Sequence, residues 1–162
     1  MPELTHIDDK GHVRMVDVTQ KKATARSAVA QAWVQMTAET FQRILAGTVS
    51  KGNVLETARI AGVMAAKKTA GLIPMCHPMN LTHVQVDFFP DPAMHAIRIQ
   101  GTARIIHQTG IEMEALTAVT VAALTLYDMC KSIDKNMTIT DICLLEKSGG
   151  KSGDFIRNND NS

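Results

Sequence analysis

Aromatic residues are scarce in this chain: they make up 4% of 162 residues, with one Trp, one Tyr and four Phe. That scarcity argues against an RNA-recognition sheet, which stacks bases on aromatic side chains. Phe88 and Phe89 are adjacent, so on a strand they point to opposite faces and cannot make one platform. Neither central strand candidate carries the K/R-G-F/Y-G/A-F-V-x-F/Y pattern. Cysteine is nearly absent too. Cys76, Cys130 and Cys143 include no C-x-x-C pair, and an odd number of scattered thiols suits a reducing, cytoplasmic setting. Charge of one sign is also lacking. Seventeen basic against sixteen acidic residues leave a formal net charge of +1, too little to draw nucleic acid or an acidic membrane by bulk field. The opening MPELTHIDDKGHVR has no apolar signal-peptide core, and no apolar run reaches the length of a membrane span. A cytoplasmic enzyme or binding domain, with no nucleic-acid or membrane partner, is the expectation.

What is present is a chain 45% hydrophobic, long enough for one domain with a substantial core. Ten methionines take over part of the space filling that aromatics usually do. Residues 1–24 are polar and aperiodic and read as an N-terminal arm. Over Arg26–Met36 the residues Ala28, Ala30, Ala32, Val34 and Met36 share one alternating face, which predicts a strand. Thr37 then caps a helix that Gly47 ends. Lys51–Gly71 reads as a second helix, with Val54, Ala58, Ala61, Ala65 and Thr69 on a small-residue face suited to close packing. Leu81–Phe89 and Ala96–His107 alternate as the two strands of a hairpin, turning at Pro90-Asp91-Pro92. A long helix spans Thr109–Lys131, and Met137–Lys147 is a last strand. Residues 148–162 read as a flexible glycine-rich tail. The order predicts an α+β, ferredoxin-like domain over 25–147: an antiparallel four-stranded sheet with helices packed on one face.

The long helix carries charged groups at both ends. Glu112 and Glu114 open it; Asp128 and Lys131 close it. At 1.5 Å per residue the two ends stand roughly 20 Å apart. Either they do unrelated jobs, or two subunits lend opposite ends to one site. Asp128 and Lys131 at i, i+3 make an ordinary surface ion pair, or an acid at the edge of the core whose partial desolvation raises its pKa. Glu112 and Glu114 favour the helix dipole, or accept the paired N–H donors of a guanine or pterin edge. Pro74-Met75-Cys76-His77-Pro78 is a loop stiffened by two prolines. Its His77 is a turn cap or a proton donor and acceptor near neutral pH. A Cys–His dyad is disfavoured because adjacent side chains diverge. No second ligand pair stands at zinc spacing, so no metal is expected. Lys51, Lys67, Lys68, Lys131, Lys147 and Lys151 supply cations. Lys147–Gly153 is not a Walker A loop, since Leu145 stands where its first glycine belongs, though its backbone and lysines suit a phosphate.

The strings KGNVLETARIAGVMAAKKT, LIPMCHP, GIEMEALTAVTVAALTLYDMCK and LLEKSGGKSGDF strongly resemble the cyclic pyranopterin monophosphate synthase family of molybdenum cofactor biosynthesis, from about Leu4 to Phe155. The resemblance implies a lyase that converts 3′,8-cyclo-7,8-dihydro-GTP to cyclic pyranopterin monophosphate and pyrophosphate. It implies no organic cofactor, leaves Mg2+ as an option with the triphosphate, and implies a homohexamer built from dimers with sites at subunit interfaces. It places acid–base chemistry on Asp128, Lys51, Lys131 and His77. Substrate contacts fall on Met75, Cys76, His77, Met113 and Glu114, with Glu112 in the same acidic turn. Arg26, Lys67 and Lys147 are phosphate contacts. Lys131 would shuttle a proton if neighbouring cations depress its pKa. The family's loop reads L-C-H-P where this chain has Met75-Cys76-His77-Pro78, a swap of similar volume. The rival reading is a non-catalytic nucleotide- or RNA-binding module on the same sheet.

Overall fold

The computed structural model describes residues 7–158. Its elements run β1 (Thr24–Gln35), α1 (Ala38–Leu45), α2 (Val54–Ala66), α3 (Thr69–Leu72), β2 (His83–Asp91), β3 (Ala96–His107), α4 (Glu112–Cys130), β4 (Thr138–Ser148) and β5 (Phe155–Ile156). The strands form one sheet in the order β2-β3-β1-β4-β5, and every neighbouring pair is antiparallel. The helices lie on one face, as the ferredoxin-like pattern requires. The sheet has five strands, where four were expected. The fifth is a two-residue segment in which Phe155 and Ile156 pair with Lys147 and Glu146.

Alternation builds the core. Ala28, Ala30, Ala32 and Val34 on β1 and Ile97, Ile99, Ala103 and Ile105 on β3 are buried beneath the helices. The alanines leave room for α4 to lie close, and Ala115, Ala118, Ala122 and Ala123 on α4 are buried completely. Gly101 on β3 sits under α4 so tightly that a Cβ there would come within 2.8 Å of Val119 Cγ1. The small face of α2 packs on the same helix. At Gly62 a Cβ would lie 2.8 Å from the carbonyl oxygen of Ala118. By length and composition α4 could cross a membrane, but more than half of its apolar window is buried within the protein. It is the core helix.

Local chemistry sets the boundaries. Thr37 caps α1 as its sequence predicts, accepting from Thr40 N–H at 3.3 Å. The Thr37 N–H is held by the buried Asp134 carboxylate at 2.8 Å. Asn53 caps α2. The helix expected over Lys51–Gly71 is interrupted, since Lys68 leaves helical geometry and the Thr69 hydroxyl donates to the Ala66 carbonyl at 3.0 Å. The expected turn at Pro90 instead falls after Asp91. β2 is an edge strand, so the missing N–H of Pro90 breaks no ladder.

Candidate active site

One open cavity of about 1050 Å³ lies at the end of the sheet where α4 begins. Met75, Cys76 and His77 enter it from the proline-flanked loop, Glu112, Met113 and Glu114 from the first turn of α4, and Arg26 and Lys147 from β1 and β4. The N-terminal arm and the glycine-rich segment close its sides through Lys21, Lys22 and Lys151. Lys67, at the C-terminal end of α2, is not among its lining residues.

Asp128, Lys51 and Lys131 stand apart from the cavity, at the far end of α4. Lys131 Nζ contacts Asp128 Oδ1 at 2.6 Å. Lys51 Nζ donates to the Asp128 backbone carbonyl at 2.8 Å and reaches Oδ2 at 3.5 Å. Glu114 and Asp128 are fourteen helical positions apart, hence roughly 20 Å along the axis. Within one subunit α4 therefore carries two separate clusters.

Of the two readings the sequence leaves open for Asp128 and Lys131, the structure shows the surface ion pair. Asp128 is exposed, with 59% of its side chain accessible. Its pKa is lowered, first by the hydrogen bond from Lys131, then by the charges of Lys131 and Lys51. Lys131 is raised in turn by the same bond and the Asp128 charge. Desolvation raises the aspartate less than its two lysine partners lower it, because the end of α4 is open to water, and the net shift of Lys131 is upward. The perturbed acid is Glu114. It is 3% exposed, and burial, followed by the charge of Glu112, raises its pKa to about 7. Burial outweighs the helix dipole, which favours a carboxylate at this position. Glu112, two residues earlier, pairs with Lys147 at 3.6 Å.

The other side chains divide between binding and bracing. His77 Nε2 lies 2.8 Å from the Val16 carbonyl. A carbonyl only accepts, so this nitrogen carries the proton and the arm fixes the ring. Arg26 donates to the carbonyls of His107, Gln108 and Gly149 at 3.3, 3.1 and 3.5 Å. It ties the end of β3 to the glycine segment. Gly149 and Gly150 both adopt positive φ, and a Cβ on either would strike Ala25 or the Arg26 guanidinium. Lys147 also bonds Ser152. The Cys76 thiol is pushed up by burial and by Glu114, and Cys130 to about 11 by burial, so both thiols are neutral near pH 7. Among the described residues no group of three or more His, Cys, Asp or Glu side chains is placed to hold a metal.

Lys21, Lys22, Met79, Gln108 and Thr109 also line the cavity, and the sequence reading did not single them out. The Lys21-Lys22 pair was visible as a basic doublet, but nothing in an aperiodic arm says where it folds back.

Residues 15–150 match the model of the MoaC family. The chain is 64% identical over 156 residues to a protein of Desulforapulum autotrophicum named cyclic pyranopterin monophosphate synthase, covering 96% of each chain. A protein of the same name from Desulfatibacillum aliphaticivorans is 61% identical over 156 residues, with 96% of this chain and 98% of the relative covered. One from Heliobacterium modesticaldum is 54% identical over 157 residues, with 97% and 99% covered. With the family's match spanning both α4 clusters and the cavity loop, the chain belongs to the MoaC family.

Proposed function

We infer that the chain converts 3′,8-cyclo-7,8-dihydro-GTP to cyclic pyranopterin monophosphate, with release of pyrophosphate, in molybdenum cofactor biosynthesis. Near-full-length identity to proteins named cyclic pyranopterin monophosphate synthase supports this. The observation that carries the reading to this chain is its cavity. It sets carboxylates suited to a guanine edge beside lysines suited to a polyphosphate. The substrate needs both in one space.

The chemistry is proton transfer, hydrolysis, condensation and phosphoryl displacement, and we assign it no organic cofactor. Lys147, Lys21 and Lys22 neutralise the phosphates, and Arg26 shapes the wall they line. Glu112 and Glu114 hold the heterocycle. His77, fixed by Val16, presents its other ring nitrogen to the ligand. Asp128, Lys51 and Lys131 are the acid–base cluster. Since that cluster is roughly 20 Å from Glu114 along α4, we assign it to the cavity of a neighbouring copy. The working form is then a homo-oligomer, a hexamer built from dimers, with sites between subunits. We place the enzyme in the cytoplasm.

The test is product formation. Purified protein given the cyclised GTP intermediate should release pyrophosphate and cyclic pyranopterin monophosphate in equal amounts. Tight nucleotide binding without turnover would replace the enzyme by a binding module.

A further inference from the structure

Asp134 is a buried charge that belongs neither to the cavity lining nor to the acid–base cluster. It is 5% exposed and sits in the turn just after α4, beyond Lys131. Its carboxylate accepts the Thr37 N–H on Oδ2 at 2.8 Å and the Asn136 N–H on Oδ1 at 2.9 Å. The side chains of Thr37 and Thr40 add to this shell. These bonds, the one from the Thr37 N–H first, outweigh desolvation and hold the carboxyl below the usual carboxylate range. The group is therefore ionised near pH 7, and the partners that hold it include no cation.

Capping alone does not explain this arrangement. Thr37 already caps α1 with its own side chain. What Asp134 holds is the amide of the cap residue itself. In a capping box that amide is taken by a Glu or Gln three residues on. Here that position is Thr40, whose short side chain meets the Thr37 hydroxyl at 3.0 Å instead. The carboxylate comes from 97 positions along the chain. A local glutamate would satisfy the amide; a remote carboxylate also fastens the start of α1 to the end of α4.

Those two places lead to Lys51 and Lys131. After α4 the N–H groups of Ile133 and Asp134 both donate to the Cys130 carbonyl, at 2.8 and 3.1 Å. Lys131 thus stands in a tight turn between two buried residues, Cys130 and Asp134. From Thr37, α1 is seated by buried Phe41 and Ile44, and the chain runs on through buried Val49. The Val49 carbonyl accepts from the Gly52 N–H at 3.0 Å, closing the turn that carries Lys51. The Lys131–Asp128 pair lies within one turn of α4 and needs no outside support. The Lys51–Asp128 contact joins segments 77 positions apart, and its reach to Oδ2 is already 3.5 Å. The Cys130 thiol feels the charges of both Lys51 and Asp134, so lysine and carboxylate flank the same small region.

We propose that Asp134 is a positioning residue: by fastening the turn after α4 to the start of α1, it keeps Lys51 within reach of Asp128. Its effect on the reaction rests on the reading that Asp128, Lys51 and Lys131 carry the acid–base chemistry. A slip of about 1 Å between the two segments breaks the longer contact, and a misplacement of that size costs on the order of a hundredfold in rate.

Two readouts on the full-length protein test the proposal. One is steady-state turnover of the cyclised intermediate. The other is titration of the Asp128 carboxyl, followed by carbon NMR on aspartate-labelled protein. Asp134→Ala removes both acceptors. Asp134→Asn keeps one, because its amide turns an NH2 toward the other donor. At a temperature where the variants are folded, Asp134→Ala should lower kcat on the order of tenfold to a hundredfold, with KM within about twofold of wild type. Asp134→Asn should lose less. Asp128 should titrate higher in both variants, because Lys51 is one of the groups that lower it. Loss of the Asp134 charge by itself would move Asp128 the other way. In a Lys51→Ala background the Asp134 substitutions should add no further rise. A carboxylate with a merely structural role would lower the melting temperature and leave kcat and Asp128 unchanged, and that result would overturn the proposal. So would slower turnover with Asp128 unmoved, or a rise that persists without Lys51. Should Asp134→Ala not fold, Asp134→Asn decides on the same two readouts. A wild type that makes no product, with the Asp128 shifts as expected, would support the positioning role and sink the enzymatic reading. Wild-type kcat in folded variants of an active enzyme would do the reverse.

Discussion

Asp128→Ala and Glu114→Ala should each abolish turnover alone and regain it when co-assembled. The reasoning is geometric. Asp128 lies outside the cavity lining, and the helix rise puts it roughly 20 Å from Glu114, so one substrate reaches both only if they come from different copies. In a symmetric assembly mixed at random in equal amounts, each interface draws one end of α4 from each of two subunits. It contains both intact groups in about a quarter of cases, and activity should return to about a quarter of wild type. A second mixture gives an independent number. Wild type mixed equally with the Asp128→Ala/Glu114→Ala double variant also leaves about a quarter of shared sites intact, whereas sites contained in one subunit would keep about half. The assay is pyrophosphate release from the cyclised intermediate, on assemblies purified through two different tags so that mixing is assured. No rescue in the first mixture together with half activity in the second would refute the shared site.

Gly62→Ala should destabilise the protein although alanine is the better helix former. The propensity gain is about 1 kcal/mol. The new Cβ, however, would stand 2.8 Å from the Ala118 carbonyl oxygen and 3.2 Å from the side chains of Ala122 and Val86, and overpacking of this kind costs about 1–3 kcal/mol. A denaturant melt should show a net loss of about 1 kcal/mol, and a stabilised variant would contradict the close packing of α2 on α4. The pKa of Glu114 makes a separate prediction for stability against pH. The group is raised from 4.5 to about 7, so the folded state holds a proton that the unfolded chain has lost. Stability should therefore fall as pH rises from 4.5 to about 7, by at most about 1.4 kcal/mol per pH unit from this group, and level off above. Glu114→Gln should flatten that part of the profile, and an unchanged slope would place the titration elsewhere.

The elements that declare themselves in the sequence are those whose period is simple. Ala28, Ala30, Ala32 and Val34 alternate against a helix, and Thr37 carries its own cap. The break at Lys67-Lys68 is not legible because no glycine or proline marks it. Its cause is the Thr69 hydroxyl turned back to Ala66, and threonine at such a position also tolerates a continuing helix. β5 is too short to show any alternation. It exists because the positive-φ glycines after β4 turn the chain back along Lys147 and Glu146. For the candidate site, the loop at Met75–His77 stands out through its flanking prolines and the start of α4 through its acids. The arm does not stand out, because the contact that folds it over the cavity is a backbone carbonyl, Val16 to His77, which any residue type supplies.

Charge state is the least legible property, since it depends on burial and not on residue type. Glu114 and Asp128 are both acids at the ends of one apolar helix, and the sequence leaves Asp128 open between a surface ion pair and a desolvated acid. The structure decides for the ion pair: the buried acid is Glu114, and the aspartate stands in water between two lysines. An exposed aspartate held ionised this way makes a poor proton shuttle near pH 7. Covering its end of α4 with the cavity of another copy would change that. Excluding water raises the cost of every unpaired charge in the cluster, and a bound polyphosphate would compete with Asp128 for Lys51 and Lys131. Both effects move Asp128 toward neutral pH. On this reading the subunit interface does more than bring distant groups together: it also supplies the desolvation that makes the aspartate able to exchange a proton.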